Sequence, residues 1–328
     1  MRTFPLHTIS EYRTELMGLS AIMILICHAA GNDLAMPYYL RLIIAQGGIG
    51  VDIFLLLSGV GMYYSLSKVV RGGVNSWYLR RYAKLLIPYL IITIPFSAYQ
   101  CISAGKSFWY FLSTVSTFQY WLTHQAAWFI ALLIPLYALA PALYKFLKRR
   151  GLAKFIVISV ICYIVAFGQF GAEPHSILDN VQFAIARVPV FVLGMLLGPK
   201  IMNGESFDLR VIIPMLFAAC LMMVWLRSPL PAYLFLVLPT IVILVWVLDK
   251  NIIKSKFNRC CRFFGGISLE SYMFNGILPH YAVLLFAALN ITDSGHYIMY
   301  TIVIVLGTGM SVVVKKFSDR ILHKLNYR

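Results

Sequence analysis

A histidine placed deep in an apolar run is the first residue in this chain that could do chemistry. Leu16 through Gly31 form that run, and its one side chain that titrates near neutral pH is His28. At a helical rise of about 1.5 Å per residue, His28 lies about 18 Å along the axis from Leu16. That is past the midpoint of a hydrocarbon core about 30 Å thick. A polar group at that depth faces a cavity or a partner rather than lipid. Two readings follow: a histidine hydrogen-bonded to a neighbouring helix, or a catalytic base in a buried reaction chamber.

Other residue types could join it. Asn32 and Asp33 follow within about one helical turn. Asp52 opens a second apolar run behind Gly47, Gly48 and Gly50, and Ser58-Gly59 lies within that run. Small residues there let helices or a ligand approach the backbone. Asp52 reads equally as a solvated interfacial acid. In Trp77-Tyr-Leu-Arg80-Arg81-Tyr-Ala-Lys84, Arg81 and Lys84 are three apart and share a helical face. They can anchor the chain at a cytoplasmic interface, or hold a phosphate-bearing cytosolic ligand. Trp128 reads as an aromatic-belt residue. Arg187 lies inside an apolar run and either snorkels to the surface or pairs within the bundle. Ser268, Ser271 and Asn275 share one helical face, with the acid Glu270 beside them. His124 and His280 are weaker candidates.

The elements that would position these residues are membrane helices. Of 328 residues, 60% are hydrophobic and 12% charged, with a mean hydropathy of +0.80. Continuous apolar runs recur from end to end, which predicts an all-α polytopic bundle and excludes a β-barrel of alternating strands. Ten spans are expected, near 16–32, 43–65, 85–103, 127–146, 153–170, 181–199, 211–227, 231–248, 264–288 and 297–314. The aromatic segment 107–125 reads as an interfacial or re-entrant piece. Of 28 basic residues, 24 fall in alternate non-membrane segments. Arg41, Lys106 and Arg227 lie in the intervening loops and Arg187 within a span. This bias predicts cytoplasmic termini and an even number of spans. Topology therefore accounts for most of the net charge of +16, so no nucleic-acid partner is expected. No cleavable signal peptide, disulfide framework or metal site is expected either. No internal repeat and no second soluble domain stands out over 1–328.

The ordered set of motifs resembles the acyltransferase-3 family of integral membrane O-acyltransferases. The series is His28 at the end of the first helix, Gly50-Val51-Asp52-x-Phe54 with Ser58-Gly59, and Arg80-Arg81-x-x-Lys84-x-x-x-Pro88. Trp128-Phe129 with Tyr137 and Pro141, Arg187-x-Pro189-x-Phe191 with Gly194, and Ser268-Leu269 with Tyr272 complete it. Three positions depart from the family pattern. Met17 stands where an arginine is usual, eleven positions before the histidine. Lys84 replaces the second arginine of an Arg-x-x-Arg element, and Asn275 replaces a histidine.

The resemblance implies a multi-pass protein of a bacterial cytoplasmic (inner) membrane. It would move an acyl group, expected to be acetyl, from cytosolic acyl-CoA to a hydroxyl of an envelope glycan or related acceptor. His28 would be the general base. Arg80, Arg81 and Lys84 would hold the CoA phosphates, and Asp52, Ser58, Trp128, Arg187, Glu270 and Asn275 are candidates for substrate or oxyanion contact. Membrane lipids, acyl-CoA and the acceptor are the expected partners. A transporter or flippase for a lipid-linked or small metabolite, or a catalytically silent family member, would use the same polar residues differently.

Overall fold

The computed structural model describes residues 3–31, 34–69, 73–123, 127–168, 171, 173–226, 228–250, 254–291 and 296–327. Asn32, Asp33, His124 and Arg227 lie outside them. The chain is a bundle of helices. In order they are α1 (Thr8–Glu11), α2 (Arg13–Gly31), α3 (Tyr38–Ala45), α4 (Ile49–Ser67), α5 (Gly73–Ser103), α6 (Phe108–Val115), α7 (Phe118–Thr123) and α8 (Trp128–Leu147). Then follow α9 (Gly151–Phe167), α10 (Ile177–Ile185), α11 (Val188–Met202), α12 (Ile212–Leu226), α13 (Tyr233–Lys250), α14 (Lys254–Gly266), α15 (Ser268–Ala288) and α16 (Tyr297–Lys324).

Among the described residues, seven helical stretches are long and apolar enough to cross a bilayer. These are Tyr38–Ser67, α5, α8, Ile177–Met202, Leu209–Leu226, α13 and α16. The other three expected spans fall on α2, on α9, which at 17 residues is shorter, and on α15. Segment 107–125 forms two short helices, α6 and α7, of 8 and 6 residues. Neither can span a core about 30 Å thick. Phe108, Trp109 and Phe118 stand exposed on them, as an interfacial piece would present its rings.

The core gathers on α4, which α2, α8, α11 and α13 pack around. Its Ile53, Leu55, Leu56 and Leu57 are fully or almost fully buried. Glycines allow the closest crossing. A Cβ at Gly59 would overlap the Phe191 carbonyl of α11, and one at Gly194 would overlap the Leu56 carbonyl of α4. The two helices therefore meet backbone to backbone, as small residues permit where both solvents are apolar. Gly18 and Gly265 bring α2 and α14 together in the same way. By contrast α12 buries only Ala219, the pattern of a helix at the lipid-facing edge.

Contacts at one end tie together segments that are distant in sequence. A short strand β1 (Thr3–Pro5) pairs antiparallel with β2 (Ser206–Asp208). The Tyr12 hydroxyl donates to Asp249 at 3.1 Å, and Arg262 is ion-paired with the buried Glu15 at 2.5 Å. At the opposite end the Tyr297 hydroxyl donates to the Ala35 carbonyl at 2.8 Å.

Candidate functional site

Three cavities in the bundle adjoin through shared wall residues. The first is a basin of about 640 Å³ beside α4 and α5, whose wall carries Lys68, Arg80, Arg81 and Lys84. The second is a throat of about 130 Å³, and Arg81 and Lys84 belong to its wall as well. Aromatic rings narrow it: Phe54, Phe129 and Tyr272 are in the wall, with ring centroids 6.0 Å apart for Phe54–Phe129 and 5.5 Å for Phe129–Tyr272. The third is a chamber of about 570 Å³, and its wall holds Tyr272, Trp128 and His28. Shared wall residues thus link the basic basin to the histidine.

His28 sits in the last turn of α2. The Tyr300 hydroxyl of α16 donates to its carbonyl at 3.3 Å and helps hold that helix end. Facing His28 across the chamber, Tyr89, Thr93, Phe96 and Gln100 recur on α5 at intervals of four, three and four, one helical face. The Tyr89 hydroxyl donates to the Thr114 carbonyl at 2.6 Å. The Tyr110 hydroxyl donates to Gln100 Oε1 at 2.7 Å. Phe96 and Tyr281 meet edge to face at 4.9 Å. Lys106 and His280 complete the wall, and the Lys106 ammonium lies 5.6 Å from the Tyr110 ring centre. The chamber is thus aromatic with a few polar groups, the composition of a small-molecule site.

Asp52 and Arg187 do not line the chamber. They form a buried ion pair behind Trp128, with Arg187 Nη1 2.6 Å from Asp52 Oδ2. Arg187 therefore pairs within the bundle, and Asp52 is fully buried instead of solvated. Local sequence explains the reach. Pro189 falls in the first turn of α11, where its missing N–H costs nothing. The chain accordingly breaks between α10 and α11 at Arg187, which frees the side chain to turn inward. The guanidinium carbon lies 4.9 Å from the Trp128 ring centre, 5.2 Å from Phe183 and 5.5 Å from Tyr233. Aromatic faces attract such a cation. Asp52 Oδ1 and Arg187 Nε have no hydrogen-bond partner among the described residues.

The remaining candidates scatter. Ser58 and Ser268 are in the throat wall, together with Tyr137. Glu270 is buried toward the end that carries Lys315 and Asp319. Asn275 is buried, and its Nδ2 has no partner among the described residues. Met17 is in the throat wall.

Comparison with family models settles the lineage. The acyltransferase domain model of the acyltransferase-3 family matches residues 16–315. The chain belongs to this family. Comparison with curated proteins and with solved structures gives no significant match. The acyltransferase-3 motifs listed along the sequence are thus dispersed in the fold by role. Arg80, Arg81 and Lys84 go to the basin, Ser58 and Tyr272 to the throat, His28 and Trp128 to the chamber, and Asp52 and Arg187 to the ion pair.

Sequence reasoning gave no role to two features. The Tyr89–Thr93–Phe96–Gln100 face was legible as polar residues at helical spacing within an apolar run. Tyr137 stood in a motif without a function. Arg13, one turn before Met17, is placed by the sequence to reach toward the region of the family's usual arginine, and packing puts its guanidinium against Gly61.

Proposed function

We propose that this acyltransferase is an acyl-CoA-dependent O-acyltransferase of a bacterial cytoplasmic membrane, moving an acetyl group to a hydroxyl of an envelope glycan or related acceptor. The observation that carries the reading is the set of shared wall residues, Arg81, Lys84 and Tyr272, by which the cavities from the cationic basin to His28 adjoin one another. CoA fits that series by shape and charge. Its phosphorylated nucleotide suits a basin walled by Arg80, Arg81 and Lys84, since both residue types bind phosphate. Its slender thiol arm suits the throat, which delivers the thioester toward His28. The acceptor would enter the chamber from the other end, past Gln100, Tyr110 and Tyr281.

In this scheme His28 takes the proton of the acceptor hydroxyl as its oxygen attacks the thioester carbonyl. The tetrahedral intermediate then collapses, the carbon–sulfur bond breaks, and the thiolate recovers a proton from the imidazolium. Ten crossings with both termini in the cytoplasm suit the scheme. The one-ended contacts among the N-terminal segment, Ser206–Asp208, Asp249 and Arg262 support it, because the charge bias assigns all of these segments to the cytoplasm.

Purified protein in detergent with radiolabelled acetyl-CoA tests the reading. CoA release is expected to fall about 10²–10⁴-fold in His28→Ala, the usual worth of a general base. Full turnover in that variant would refute the assignment. Counterflow of a solute in vesicles without CoA chemistry would favour the transporter reading instead. Mass spectrometry of envelope glycans with and without the protein would identify the acceptor.

A further inference from the structure

Arg13 opens α2, ahead of the apolar run, yet its guanidinium points into the bundle. Its Nη2 lies against Gly61, where a Cβ would stand only 3.3 Å away, and Gly61 is in the wall of the basin. The Arg13 Nε is buried with no hydrogen-bond partner among the described residues. Arg81 is in the same basin wall as Gly61. Tyr137 and Arg81 are both in the throat wall. Among the described residues neither arginine is in a salt bridge. The nearby acids are engaged elsewhere, Glu15 with Arg262 and Asp319 with Lys315. Two like charges in a weakly polar interior repel, and a donor left unpaired there is costly. An anion held between them resolves both costs.

We infer that Arg13 is a donor-binding residue, gripping a diphosphate together with Arg81 where the basin narrows into the throat. The inference rests on the acyl-CoA reading above. The location selects the diphosphate. In CoA this group joins a bulky nucleotide to a slender arm, and here a cavity of about 640 Å³ gives way to one of about 130 Å³. Arg81 is in both walls, and Arg13 reaches the basin wall at Gly61. Each guanidinium forms paired, charge-assisted hydrogen bonds with phosphate oxygens. Met17, at the family's usual arginine position, supplies no charge to the throat, and Arg13 brings one from a turn earlier.

The test is calorimetric binding to the full chain in lipid nanodiscs, with CoA, inorganic pyrophosphate and pantetheine as probes. Arg13→Gln is expected to weaken CoA and pyrophosphate about tenfold or more, since one charged hydrogen bond is worth about 1.5–3 kcal/mol. Pantetheine, which has no phosphate, is expected to bind as it does to the unaltered protein. Arg13→Lys, which keeps the charge and loses the fork, is expected to fall between. Equal CoA affinity in Arg13→Gln would overturn the role of Arg13 and leave the acyl-CoA reading standing. Unaltered protein that binds neither CoA nor pyrophosphate would overturn both. Equal losses for pantetheine and CoA would mean a damaged throat, and would also overturn the inference.

Discussion

Removing one member of the Asp52–Arg187 pair leaves the other charged and buried. Arg187→Met strands the fully buried Asp52 carboxylate, and such a stranded charge typically costs about 3–5 kcal/mol. Replacing both, as Asp52→Leu with Arg187→Met, removes the charges together and is expected to cost far less. Thermal unfolding of the detergent-solubilised variants separates the two outcomes. A smaller loss in the single variant than in the double would contradict the pairing. The aromatic residues around Arg187 add a consequence for the chamber, because Trp128 contacts the guanidinium on one side and the chamber on the other. Trp128 therefore connects the ion pair to the chamber wall. The conservative substitution Asp52→Glu is expected to raise KM for the acceptor more than it lowers kcat.

At the scale of the element, α4 and α11 cross where neither can carry a side chain. Gly194→Ala forces a Cβ into the Leu56 carbonyl, so the helices must part. Overpacking of this kind costs about 1–3 kcal/mol. Parting them also draws Arg187 away from Asp52, so the variant is expected to lower Tm and to weaken CoA turnover together. Gly309→Ala on α16, where an added Cβ meets nothing, is the control and is expected to leave Tm unchanged. The face of α5 offers a second element-scale expectation. Gln100→Ala removes the acceptor of the Tyr110 hydroxyl and is expected to affect acceptor KM without altering CoA binding.

At the scale of the whole molecule, the proposed function requires passage from the basin to the chamber. The throat is the smallest of the three cavities, so a bulky residue there should divide the basin from the chamber. Leu133→Trp, in the throat wall, is expected to reduce turnover of acetyl-CoA at least about tenfold, as a misplaced reacting group does. Adenosine 3′,5′-bisphosphate, which lacks the thiol arm, is expected to bind the basin as before. Undiminished turnover would show that the thioester reaches His28 by another path.

The sequence by itself determined the helical, membrane-embedded class, because composition and continuous apolar runs leave a chain few other ways to satisfy its backbone. It also determined the family and the basic segment Arg80–Lys84, since motif order and charge are local properties. It marked 107–125 as non-spanning from its mixed polarity alone. Tertiary structure alone decided which polar residues meet. Asp52 and Arg187 are 135 positions apart, and nothing at either site names the other. Their pairing depends on glycines that let α4 and α11 touch and on Pro189 breaking the helix beside the arginine. The inward turn of Arg13 likewise depends on a gap at Gly61, and such a gap is a property of packing that no local sequence signal carries.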